Sequence, residues 1–105
     1  MKFSYTTHGL KRVKERLPWR DQYTMRNLLS LAWASKEKSP TLLFLRKRTS
    51  FNRYLKYRLF NKNIFVFNYH RPYKSEEKVV LVTCFPMRSV EETQARTDFK
   101  RWLNS

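Results

Sequence analysis

The first residues that could carry chemistry are one histidine and two arginines, His8, Arg12 and Arg16, which recur at intervals of four. On a helix this spacing keeps three side chains within an arc of roughly 80°, so they would share one face. An imidazole can move a proton near neutral pH, and guanidinium groups can bind a phosphate through paired hydrogen bonds. These residue types would therefore suit a phosphate-directed acid–base site. By spacing alone, a solvated basic helix face with a histidine near its start is a slightly better interpretation.

Two further polar residues could take part in the same chemistry. Thr83 stands near the end of an apolar run, and its hydroxyl could bond a phosphate oxygen, although an ordinary β-branched strand residue is the simpler interpretation. His70 lies in the segment NYHRPY, where it could act as a second acid–base group or as a platform for base stacking. A loop histidine without any role explains that segment about as well.

A basic and aromatic segment covers residues 46–58. It contains six Lys and Arg residues and no Asp or Glu, and Phe51, Tyr54 and Tyr57 are interleaved with them. Basic side chains hold phosphates and aromatic rings stack on unpaired bases, although alternation along a strand would turn some of these rings inward. The residues predicted to bind nucleic acid, including those near the two histidines, are Lys11, Arg46, Lys47, Arg48, Arg53, Tyr54, Lys56, Arg58, His70 and Arg71.

The charge balance indicates an anionic partner. The chain of 105 residues has 23 Lys and Arg against 8 Asp and Glu, a formal net charge of +15. Self-repulsion at that charge destabilises a compact domain, and a polyanion offsets it. Nucleic acid is the commonest such partner, and we expect RNA rather than DNA, with an anionic membrane surface as the second candidate.

Cysteine usage and hydropathy indicate the compartment. The single cysteine, Cys84, cannot form a disulfide within the chain, which is typical of a reducing environment. The N-terminal segment has no apolar run of the kind found in signal peptides, and no window approaches the ~18 apolar residues of a membrane-spanning helix. We expect a cytoplasmic protein without membrane insertion.

A metal or cofactor is not expected. Cys84 and the two histidines are too few and too scattered for a zinc site. The run Glu76-Glu77-Lys78 is weakly similar to the acid–x–lysine part of some metal-dependent nucleases, but the only Asp before it is Asp21. Cys84 could act as a nucleophile, although no histidine stands near it in the sequence. With one glycine in the chain, glycine-rich phosphate loops and tight left-handed turns are nearly excluded.

The helices that would position these residues lie mainly in the first half of the chain. A short strand over residues 2–6 precedes a helix that begins at His8, with Thr7 as its cap, and that ends at Pro18. The spacing of apolar residues predicts a second helix from Trp19 or Arg20 to about residue 36. Ser39 and the proline after it predict a third, short helix to about residue 48, with a strand as the alternative for its apolar part.

The second half reads as a sheet followed by a helix. Three antiparallel strands are predicted within residues 53–60, 64–69 and 79–85, with a turn at residues 61–63. Ser89 would cap a final helix. The sequence therefore predicts one α+β domain over residues 1–105, with N-terminal helices packed on an antiparallel three- to four-stranded sheet and with a C-terminal helix.

Two runs of the chain resemble a known group of ribonucleases. YTTHGLKRVKERL resembles the H-x3-R-x3-R opening of small RelE-like domains, which belong to the broad barnase/EndoU/colicin/RelE group of metal-independent ribonuclease folds. The run IFVFNY…KVVLVTCFP resembles the paired strands that end those domains, where V-x-T-x-[YF]-P is common, here shifted by one position at residues 82–86. Together the runs cover about a third of the chain. The long second helix and the C-terminal helix are less typical of that group.

The resemblance implies a mechanism, a role for each residue and a kind of partner. The ribose 2′-hydroxyl would attack its own phosphate, with His8 as acid or base, Arg12 and Arg16 on the phosphate and Thr83 assisting. A toxin-like relative would have an acidic protein partner such as an antitoxin. The alternative is a non-enzymatic phage or plasmid accessory protein that binds nucleic acid or an acidic host protein through its basic face.

Overall fold

The structure is a computed structural model that describes residues 1–49, 52–71 and 76–87. Its fold is α+β, with three α-helices and four strands among those residues. In chain order the elements are β1 (Lys2–Tyr5), α1 (Thr7–Arg16), a 3₁₀ helix (Pro18–Gln22), α2 (Met25–Ala34), α3 (Pro40–Arg48), β2 (Leu55–Phe60), β3 (Asn63–His70) and β4 (Lys78–Pro86). The helix predicted after Ser89 lies outside the described residues.

The four strands form one mixed sheet in the order β1-β4-β3-β2. Strands β2, β3 and β4 are the predicted antiparallel meander. Strand β1 corrects the prediction of an antiparallel sheet, because it runs parallel to β4, with Lys2 opposite Lys78. Local periodicity shows that a strand exists but not which distant strand it joins.

The helix starts follow hydroxyl caps, and two of them differ from the prediction. Thr6, rather than Thr7, caps α1, because its Oγ1 accepts from Gly9 N at 2.9 Å. The second helix does not begin near Trp19: Pro18 opens a 3₁₀ helix, and α2 starts only after Thr24. Helix α3 is confirmed, with Ser39 as its cap and proline at its first position.

The turn between β2 and β3 corrects a second expectation. Asn61 and Lys62 both have left-handed backbones, with φ of 48° and 63°. This pair closes a two-residue hairpin whose twist matches that of the strands. A scarcity of glycine therefore did not exclude a left-handed turn, since asparagine tolerates this region and the lysine is held there by the strand pairing on both sides.

Helices cover both faces of the sheet. Helices α1 and α2 pack on one face in a cluster that includes Val13, Leu28, Phe65 and Phe67. Helix α3 packs on the other face, against Tyr57, Leu59, Ile64 and Val66. Strand β3 is thus buried on both sides, which explains its continuous apolar run.

Candidate nucleic-acid interface

Strand β2 is an edge of the sheet, and the described residues cover only part of that edge. The segment after α2 covers its far end, where Glu37 forms a bridge with Leu59 and the Ser35 hydroxyl donates to the Leu59 carbonyl oxygen. The nearer part of the edge, around Leu55 to Tyr57, borders an open groove. An uncovered edge strand normally invites pairing with another chain, and charged residues are the common protection against it.

We call this the β2 groove; it has a volume of about 1000 Å³. Its walls are the end of α2 with the segment after it, the end of α3, and β2 with the residues before it. Among the described residues, six basic residues line it against one acid, Glu37. The basic residues are Lys36, Lys38, Arg46, Arg53, Lys56 and Arg58.

The groove brings together four of the residues predicted to bind nucleic acid, namely Arg46, Arg53, Lys56 and Arg58. Lys36 and Lys38 were not among the predicted residues. Their signal in the sequence is weak, a short charged run after a helix, and only the packing of that run along β2 brings them to the groove. Lys47 and Arg48 lie in the last turn of α3 and are not groove residues; the Arg48 guanidinium lies 6.0 Å from the Phe44 ring centre.

Two arginines meet at the uncovered edge. Arg46 Nη2 and Arg58 Nη1 each donate to the carbonyl oxygen of Tyr57, both at 3.0 Å. Arg46 comes from α3 on one face of the sheet. Arg58 lies on the other face, where its guanidinium stacks 4.5 Å from the Trp33 ring centre and its Nε donates to the Trp33 carbonyl oxygen at 3.0 Å. The two charges therefore converge from opposite sides of β2.

Burial and the charge of Arg46 both act on Arg58. They lower the pKa of Arg58 from its ordinary value, with burial as the larger cause. The Trp33 carbonyl oxygen that accepts from Arg58 lies in the last turn of α2, the end of a helix that attracts cations. Within the described ranges, neither Arg46 nor Arg58 forms a salt bridge with a carboxylate.

An aromatic pair lies beside the groove. Tyr54 is 39% exposed, and the ring of His70 packs edge-on against it at 5.6 Å. Arg53 lies over the Tyr54 ring at 5.0 Å and donates to its hydroxyl at 2.9 Å. The rings of Tyr54 and His70 form a surface on which a base could stack. Base stacking is one of the two roles predicted for His70. Arg71 pairs with Glu77 at 3.6 Å at the end of β3.

The residues of the first predicted site, which we call the α1 row, are His8, Arg12 and Arg16. His8 Nε2 accepts from Arg12 Nε at 3.4 Å, so the predicted shared face brings these two together. Arg12 also pairs with Glu15 at 2.9 Å. Arg16 Nη1 donates to the carbonyl oxygen of Cys84 at 3.1 Å and thereby ties α1 to β4. The exposed Lys11 lies 3.9 Å from Glu15.

Thr83 is not brought to the face on which α1 packs. The pairing of β3 with β4 shifts between Val66 and Phe67, so Val82 is an extra residue in a β-bulge. Thr83 stands opposite Val66, whose side chain belongs to the cluster under α3. Simple alternation along β4 cannot reveal this position, because the bulge changes the side of every residue after it.

No family model matches this chain, and neither the curated proteins nor the solved structures contain a match. The resemblance to RelE-like domains stays a prediction that rests on its two sequence runs.

The remaining candidate chemistry is limited by burial. Cys84 is fully buried, and this burial raises the pKa of its thiol to about 11, against the opposing effect of Arg16 and Arg12. The thiol is therefore protonated at neutral pH and cannot serve as a nucleophile.

In the described part of the chain, no group of three or more His, Cys, Asp or Glu residues could hold a metal ion. Across the same residues, every helix is too short or too polar to cross a bilayer.

Proposed function

We propose that this chain binds single-stranded nucleic acid, and RNA in particular, in the β2 groove. The observation that carries the proposal is the concentration of six basic residues against one acid in a single groove. Lys and Arg side chains hold a phosphate backbone without regard to sequence. A net charge of +15 adds long-range attraction for any polyanion, and the groove is where the attracted polyanion would bind.

The aromatic pair beside the groove supports a single strand rather than a duplex. Bases of a duplex are stacked on one another, whereas those of a single strand can stack on a side chain. Tyr54 and His70 offer such a surface next to Arg53, which lines the groove. RNA is placed before DNA because the contact of His8 with Arg12 suits chemistry at a ribose 2′-hydroxyl, a group that DNA lacks.

A matched pair of charge reversals tests the proposal. Lys36→Glu with Lys38→Glu alters the groove, and Lys14→Glu with Arg26→Glu makes the same change of charge on exposed residues of α1 and α2. Binding of a labelled 12-residue single-stranded RNA is measured by fluorescence anisotropy. We expect the groove variant to bind at least about tenfold more weakly and the control to change much less. Equal losses would mean that net charge, not the groove, binds the strand.

The contact between His8 and Arg12 favours a second function, metal-independent cleavage of RNA. In this contact Nε2 of His8 is an acceptor, which is the form in which an imidazole acts as a base. His8 would remove the proton of a ribose 2′-hydroxyl, and Arg12 would stabilise the charge that develops on the phosphate. The bond between phosphorus and the 5′-oxygen would then break, the leaving oxygen would take a proton from water, and a 2′,3′-cyclic phosphate would remain on the strand.

Cleavage of the same RNA in EDTA tests this second function. We expect products with a cyclic phosphate end from the wild type, and none from His8→Ala, while Lys14→Ala, an exposed position on the same helix, serves as the control and stays active. Both variants should still bind RNA. Dependence on a metal ion, or full activity of His8→Ala, would rule out this mechanism and leave the binding function untouched.

A further inference from the structure

The pair formed by Arg46 and Arg58 has unused capacity to donate hydrogen bonds. A guanidinium group carries five N–H donors. The hydrogen bonds described above use one donor of Arg46 and two of Arg58. Their shared acceptor, the Tyr57 carbonyl oxygen, carries no net charge. Two positive charges thus meet at one neutral oxygen.

This meeting of like charges is unfavourable until an anion joins it. Arg58 is half-buried, and its charge is disfavoured by burial and by Arg46. Arg46 lines the open groove and is exposed, so an anion can approach the pair from solvent. Charge-assisted hydrogen bonds to two guanidinium groups would hold a phosphate in a fixed position.

The position of the pair along β2 adds a second constraint. The edge of β2 borders the groove as far as Tyr57, and two residues further on, at Leu59, the segment with Ser35 and Glu37 covers it. A strand that enters beside Arg53 and follows this edge reaches the pair where the open edge ends. A phosphate at this place would lie beside both guanidinium groups at once, so its charge decides how well it fits.

We propose that Arg46 and Arg58 bind the terminal phosphomonoester of a single strand held in the β2 groove. A phosphomonoester carries about −1.5 to −2 at neutral pH, against −1 for the diester within a chain. The terminal group therefore matches the two positive charges of the pair, and an internal phosphate leaves one of them unmatched. This inference rests on the proposed binding function and adds the kind of end that the groove accepts.

The test compares three RNAs of one sequence that carry the same internal label: one with a 5′-phosphate, one with a 3′-phosphate and one with hydroxyls at both ends. We expect the wild type to bind one phosphorylated form about tenfold more tightly than the hydroxyl form. The preferred form identifies the direction in which the strand lies. Arg46→Gln should remove that preference. Lys38→Gln removes the same charge elsewhere in the groove, and should weaken binding of all three forms equally.

A second variant keeps the test decisive if one substitution disturbs the fold. Arg58→Lys retains the charge but loses the planar group that donates to Tyr57 and stacks on Trp33, and it should also reduce the preference. Equal binding of all three RNAs by the wild type overturns this inference and leaves RNA binding standing. A preference that survives both arginine variants overturns it as well. Failure to bind any of the three RNAs overturns the proposed function itself.

Discussion

Arg46 and Arg58 donate to the same carbonyl oxygen, that of Tyr57, although they approach it from opposite faces of the sheet. These two hydrogen bonds occupy an outward-facing carbonyl group of an edge strand, and this arrangement reduces the capacity of β2 to pair with another chain. It also places two cations at the groove that we propose for nucleic acid. A device that protects an edge strand is thereby also a candidate binding site.

The close approach of α1 to β4 depends on Gly9. A Cβ atom at this position would lie 2.5 Å from the carbonyl oxygen of Leu81, which is backbone and cannot rotate away. Intrinsic helix propensity predicts that Gly9→Ala stabilises the protein by up to about 1 kcal/mol. We expect the opposite sign, a loss of about 1–3 kcal/mol in the free energy of unfolding.

Urea unfolding followed by circular dichroism measures this change, with Ser30→Ala on the exposed side of α2 as the control for propensity alone. A more stable Gly9→Ala variant would mean that α1 and β4 do not approach as closely as the structure has them.

The hairpin between β2 and β3 offers a stabilising change. Lys62 has a φ of 63°, a region that costs an L-residue roughly 1 kcal/mol and that glycine adopts freely. Lys62→Gly should therefore raise the free energy of unfolding by a few tenths to about 1 kcal/mol, despite the greater entropy of glycine in the unfolded chain.

Thermal or urea unfolding checks this prediction. Lys62→Ala, which removes the same charge but keeps the Cβ atom, is the matched control and should not stabilise. A gain of equal size from both variants would mean that relief of charge repulsion, rather than backbone conformation, is the cause.

The thiol of Cys84 should be inert in the folded protein. The side chain is fully buried and its pKa is raised to about 11, so the reactive thiolate is scarce and shielded at neutral pH. We expect an aromatic disulfide reagent to react with native protein only as fast as the protein opens, and within seconds in denaturant. Rapid reaction of native protein at pH 7.5 would contradict the burial of β4.

Local signals in the sequence determined which elements could be predicted. Ser39 and Pro40 specify the start of α3 by themselves, through a side-chain cap and a preset backbone angle. The start of α2 could not be found in the same way, because Asp21 gives an equally good first turn and only the structure shows that Thr24 is the cap.

Local signals also determined which parts of the candidate site could be predicted. The contact of His8 with Arg12 follows from helical spacing and was predictable. The position of Thr83 was not, since a bulge at Val82 depends on pairing with another strand. Arg46 on α3 and Arg58 on β2 share one acceptor at the edge of the sheet. No pattern along the sequence predicts this contact.

The salt dependence of RNA binding tests the central proposal most directly. The logarithm of the association constant for a single-stranded 12-residue RNA is measured against the logarithm of salt concentration. If four to six phosphates are held, the slope should be about −3 to −4, and Lys36→Glu with Lys38→Glu should make it shallower by about 1. Lys14→Glu with Arg26→Glu should leave the slope nearly unchanged. A wild-type slope near zero, or the same slope in both double variants, would contradict a nucleic-acid site in the β2 groove.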